Sequence, residues 1–126
     1  MVREPAYCTA TGKVLLSAQS PDEFEGYLQT IEMQSFTPRT LTSKAELRRE
    51  IRAVREKGFA LDLEEFVPNL CCVAIPLPDH NSGAPLAAIS IAMPKMRFKK
   101  VNVSGWCSQM RAKATLITEQ LGLVEN

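Results

Sequence analysis

The alternation of bulky and small side chains between Phe59 and Met93 constrains the fold more than any other feature of this chain. The stretch reads FALDL, EEFVPN, LCCVAIPL, PDHNSGAP and LAAISIAM. Three apolar runs rich in β-branched residues, separated by turn chemistry, predict three strands. Successive strand side chains point to opposite faces, so each run sorts into two sets. Phe59, Leu61 and Leu63 form one set, continued by Val73, Ile75 and Leu77 and by Ala87, Ile89, Ile91 and Met93. The other set is Ala60 and Asp62, then Cys72, Ala74 and Pro76, then Leu86, Ala88, Ser90 and Ala92. The first set is bulky. The second is mostly small, with the polar atoms of Asp62, Cys72 and Ser90 among it. Strands paired with these sets aligned make a sheet with one packed side and one side with room. Room has two readings: a helix approaches closely, or a small molecule sits between apolar walls and a few placed polar groups.

At 126 residues the chain is read as a single domain spanning 1–126, long enough to bury a real core. No run reaches membrane-spanning length, and Met1–Pro5 has no apolar signal segment, so no membrane partner is expected. A net charge of +1 argues against direct nucleic-acid binding by this chain. The basic run Arg48, Arg49, Arg52, Arg55 and Lys57 interleaves with Glu46, Glu50 and Glu56 at helical spacing, as a solvated helix face does. Cys8, Cys71, Cys72 and Cys107 form no C-x-x-C pair, and the single histidine, His80, lies in a loop. No metal site and no cofactor is expected from that set. Reduced thiols and a cytoplasmic location are the expectation.

Tyr7 to Ala18 reads as a short helix capped by Thr9 or Thr11, burying Val14, Leu15 and Ala18. Its TATGK fragment lacks the spacing of a phosphate loop, with no glycine five residues before Gly12 and Val14 where Ser or Thr belongs. What remains is the capacity of a helix N-terminus to accept a carboxylate. Ser20-Pro21-Asp22-Glu23 starts a second helix through a capping box, with Phe24, Leu28 and Ile31 as its stripe. Ser43-Lys44-Ala45-Glu46 is a second capping box, opening a helix with Leu47, Ile51 and Val54 that Gly58 closes. Arg97 to Lys100 is a solvated connector. A last helix is expected from about Asn102 to Leu121, with Trp106, Met110, Ala114, Ile117 and Leu121 as its stripe and Gly122 as its stop.

Taken in order, ATGKVLLSA, FTPRTLTS, VREKGFALDLEE, the Cys72–Pro76 strand and AAISIAMPKMRF resemble the effector-binding domain of the IclR family of bacterial transcription regulators. The resemblance implies an α+β, GAF-like (profilin-like) domain, an antiparallel sheet with helices packed on its faces. It also implies a winged helix-turn-helix domain upstream, absent from this chain together with the first part of the effector domain. DNA would then be a partner only through that absent domain, with self-association as dimer or tetramer. The resemblance places an effector between the helix start at Ala10, Thr11 and Gly12 and the strand residues Asp62, Cys72, Ser90 and Ala92. Ala92 replaces a serine found in some relatives, which alters the ligand such a site prefers.

Three function classes follow. The leading one is a sensor of a small organic acid, hydroxy, keto or sugar-derived, with no catalysis. Its carboxylate rests on N–H groups near Thr11 and Gly12, and Asp62 accepts hydrogen bonds from its hydroxyls. An enzyme would need Cys72 with His80, or the pair Glu64 and Glu65. The first pair is separated by about 26 Å of strand, and the second is expected to be solvated. The third class is a ligand-free oligomerisation module of the same kind of regulator.

Overall fold

In the computed structural model, which describes residues 4–78 and 85–120, each strand run begins or ends where its turn residues stand. The order is a 3-10 turn at Ala6–Cys8, helices α1 (Ala10–Ser17), α2 (Pro21–Thr30) and α3 (Lys44–Lys57), strands β1 (Ala60–Leu63), β2 (Leu70–Pro78) and β3 (Pro85–Pro94), and helix α4 (Val103–Gln120). Two further 3-10 turns, Lys95–Arg97 and Lys100–Asn102, lead into α4. The strands form one antiparallel sheet in the order β1-β2-β3. This is the expected α+β arrangement. His80, Leu121 and Gly122 lie outside the described residues, as does the side chain of Leu86.

The helix starts behave as their capping residues dictate. Ser20 accepts from the Glu23 N–H while Glu23 accepts from the Ser20 N–H, closing the box in both directions. Ser43 caps Glu46 N, but no return bond from Glu46 forms, so the second box is half made. Thr9, not Thr11, caps α1 by accepting from Gly12 N, and Tyr7 and Cys8 belong to the separate turn before it. Leu15 and Ala18 are exposed; the buried face of α1 is Ala10, Gly12, Lys13, Val14 and Leu16. Gly58 ends α3 in the left-handed region at φ 79°, which glycine adopts without strain.

The two sheet faces are packed by different helices. Val73, Ile75 and Leu77 meet Val103, Cys107, Met110 and Ala114 of α4, with the other bulky strand residues around them. The core stripe of α4 runs through Val103, Cys107, Met110, Ala114 and Thr118, while Trp106 and Ile117 flank it half-buried. That is a rotation from the expected stripe. Trp106 leans outward onto Phe98, and Thr118 tolerates burial because its hydroxyl bonds the Thr115 carbonyl within the helix. On the opposite face, Ala10 and Val14 of α1 pack with Val54, Ala60 and Ala74, with Cys72 and Ala88 beside them. A third cluster joins Tyr7, Leu16, Phe24, Leu28, Leu47 and Ile51, tying α1, α2 and α3 together. The basic residues of α3 are exposed, yet their partners lie across elements. Arg48 grips Glu25 of α2 through two bonds of 3.1 and 2.8 Å, and Arg55 donates to the Ser17 carbonyl.

Candidate functional site

Strand register decides which of the small residues meet. Asp62 pairs with Cys72 and Cys72 with Ala92, so these three form one row across the sheet. Ala60, Ala74 and Ser90 form the next row. All have the parity of the face that α1 covers. With strands about 4.8 Å apart, the row from Asp62 to Ala92 spans about 10 Å. Burial falls along it: Asp62 is 3% exposed, Cys72 is half-buried, and Ser90 and Ala92 are exposed. The face is therefore closed at β1 and open at β3.

α1 fills part of the room. Ala10 and Val14 lie directly on the alanines, so close helix approach accounts for the Ala60–Ala74 part of the small face. At the start of α1, the Gly12 N–H donates to Thr9 Oγ1 at 3.2 Å. A Cβ at Gly12 would fall 2.4 Å from both the Cα and O of Ala6, so the preceding turn occupies that side. Gly12 thus serves backbone approach there, and its N–H already has an acceptor. The N–H groups of Ala10 and Thr11 have no partner among the described residues, and Ala10 is the one packed toward the sheet.

Asp62 stands in a dense charge cluster. Its Oδ1 accepts from Glu65 N at 2.8 Å. Burial pushes its carboxyl up to about 6, and the Glu65 and Glu4 carboxylates push the same way, while the Glu65 N–H bond and the Lys13 ammonium oppose them. Near neutral pH it is an acceptor; one or two units lower it is also a donor. Burial and the neighbouring Asp62 raise the Cys72 thiol to about 11, and burial with the same carboxylates raises Cys8 to about 12. Neither thiol has the character of a nucleophile.

Two members of this cluster were missed by sequence reasoning. Lys13 is fully buried, and its Nζ lies 2.8 Å from Leu61 O, 3.0 Å from Glu65 Oε2 and 3.2 Å from Glu50 Oε1. Glu65 Oε1 is nearer, at 2.7 Å, but off the hydrogen-bonding direction. Glu65 was expected to be solvated; it is buried instead. The cause is the turn after β1, where Glu64 takes φ 59° and sends the chain back over the strand. Thr37 and Thr40 of the FTPRT segment then hold the Glu64 and Glu65 carbonyls. The available signal for Lys13 was its position: three residues after Ala10 and next to Val14, it shares their helical face. Among the described residues, no group of three or more His, Cys, Asp or Glu could hold a metal, and no helix is long and apolar enough to cross a membrane.

The profile of the bacterial transcriptional regulator IclR C-terminal family matches residues 2–119, and the chain belongs to that family. It is 36% identical over 120 residues to the HTH-type transcriptional regulator KdgR of Escherichia coli K12, covering 95% of this chain and 45% of that protein. The chain thus spans less than half the length of the curated relatives it matches first. Among solved structures, the C-terminal domain of E. coli KdgR superposes with a TM-score of 0.87 at 36% identity, covering 96% of this chain and 73% of that one. A double mutant of the PobR transcription factor inducer-binding domain from Acinetobacter, in complex with 3-hydroxybenzoic acid, superposes with a TM-score of 0.83 at 25% identity, covering 91% and 66%.

Proposed function

We propose that this chain, as one domain, senses a small hydroxy or keto acid and so modulates DNA binding by a longer regulator. The observation that carries the reading is Asp62: a buried carboxyl, raised to about 6, on the one sheet face that opens toward β3. A carboxyl held in such a setting suits hydrogen bonding to ligand hydroxyls, while the free N–H groups at Ala10 and Thr11 suit the acid end. Cys72 and Ala92 continue the row from Asp62, and Ser90 stands in the next row on the same face; the row is about the length of a short chain of carbons and oxygens. The PobR domain in complex with a hydroxylated carboxylic acid supports the ligand class, and the HTH-type transcriptional regulators among the relatives support a DNA-binding partner domain and a cytoplasmic location; self-association as dimer or tetramer belongs to the same proposal.

The test is titration calorimetry of glycerate, pyruvate and propionate into the chain and into Asp62→Ala. Near neutral pH glycerate binds through its hydroxyls, and propionate binds more weakly because it offers Asp62 no donor, a cost of about 1–3 kcal/mol; pyruvate, whose keto oxygen only accepts, gains on propionate in acid, where Asp62 is protonated and can donate. Asp62→Ala removes most of that preference and leaves propionate nearly unchanged. Equal losses for all three acids would make Asp62 structural. A second reading, a ligand-free oligomerisation module, draws on the direct packing of α1 onto Ala60 and Ala74. No heat and no thermal shift with any acid, together with concentration-dependent association, would favour it.

A further inference from the structure

β1 is an edge strand, and its outer edge is occupied by side chains. Glu64 N donates to Leu70 O, so the even-numbered residues of β1 face β2, and Leu61 and Leu63 turn their backbone groups outward. Lys13 Nζ donates to the outward carbonyl of Leu61 at 2.8 Å, and Glu65 Oε2 accepts from the outward N–H of Leu63 at 3.1 Å. The Lys13–Glu65 ion pair thus stands where the backbone of a neighbouring strand would stand. All three ammonium protons of Lys13 have acceptors: Leu61 O, Glu65 and Glu50. None is left for an anionic ligand, despite the resemblance of TATGK to a phosphate loop.

The same Glu65 that Lys13 holds through its carboxylate holds Asp62 through its backbone N–H. We infer that Lys13 is a positioning residue of the candidate site: it fixes the Asp62 carboxyl through Glu65, does not touch the ligand, and through Glu50 ties the setting of Asp62 to the seating of α3. The inference rests on the reading of Asp62 as the hydroxyl-binding group. The groups facing Asp62 are Lys13 of α1, Glu65 of the β1–β2 turn, Glu4 and Cys8 before α1, and Cys72 of β2. Lys13 is the one cation in this set.

Two variants separate charge from position. Lys13→Met leaves Glu65 buried without its cation. The double variant Lys13→Met/Glu65→Gln removes the buried charge of Glu65 as well and leaves only the partly exposed Glu50 without its cation, and replacing both members of a buried pair is often close to neutral for folding. The readouts are the Asp62 side-chain carboxyl and the backbone amide at position 65, followed by NMR against pH, and the glycerate-to-propionate affinity ratio. In the parent chain the position-65 amide titrates together with Asp62. In Lys13→Met the Asp62 midpoint moves upward. In the double variant the amide no longer follows Asp62, and the glycerate preference falls about tenfold. An amide that still follows Asp62 in the double variant, or an unchanged preference, overturns the positioning role. If no acid binds the parent chain, the effector reading fails while the NMR comparison still decides whether Lys13 sets Asp62.

Discussion

Replacing Asp62 with asparagine should make the chain more stable at neutral pH and leave it unchanged in acid. The side chain keeps its shape, and an amide oxygen can still accept from Glu65 N, which now bonds Oδ1 at 2.8 Å. What disappears is the charge that burial opposes. Asp62 has a folded value of about 6 against an ordinary 3.8, so the folded chain holds that proton more tightly than the unfolded chain. Its contribution is therefore most favourable below the ordinary value and is lost as pH rises from about 4 through 6. Two units at 1.36 kcal/mol each place the deficit at about 3 kcal/mol by pH 7. Urea unfolding of both proteins at pH 7 and pH 4 measures it. With a slope of about 1–3 kcal/mol/M, the midpoint of Asp62→Asn should rise by about 1–3 M at pH 7. At pH 4 the two midpoints should nearly coincide. Destabilisation by Asp62→Asn at pH 7, or the same shift at both pH values, would refute the claim that burial of the charge dominates at this position. The proposed binding role of Asp62 would account for such a cost as a trade between stability and binding.

Gly12→Ala should destabilise by about 1–3 kcal/mol, because the new Cβ meets backbone at 2.4 Å, while Gly26→Ala, with nothing within 4 Å on an exposed helix, should stabilise by about 0.5–1 kcal/mol; thermal melts of the two variants check both signs. Lys95 N donates to Asn69 O, so the odd-numbered residues of β3 face β2 and the even-numbered ones face outward. Hydrogen exchange should accordingly find Ile89 and Ile91 protected and Ala88, Ser90 and Ala92 fast, and uniform protection along β3 would show that another strand pairs there in solution.

Local rules made much of this fold legible. Period-two alternation sorted Phe59–Met93 into the α4-packed and α1-packed faces, and Ser20, Glu23 and Gly58 marked helix ends because a cap needs only neighbours in sequence. Matching parity in three strands, together with antiparallel pairing, was enough to put Asp62, Cys72, Ser90 and Ala92 on one face. The choice of Thr9 over Thr11 as cap was not legible, since both have the right chemistry and only the approach of Ala6 to Gly12 distinguishes them. The burial of Lys13 and Glu65 was less legible still. In sequence they are two ordinary surface residues, 52 positions apart. They become a buried pair only because the turn at Glu64 folds back over β1, Thr37 and Thr40 hold it there, and α1 delivers an ammonium to an edge strand with backbone groups to satisfy. Sequence by itself determined which side chains share a face and where helices begin. The ionisation of Asp62, and the partners that set it, were decided by tertiary structure, because burial and long-range charge pairing are properties of the assembled chain.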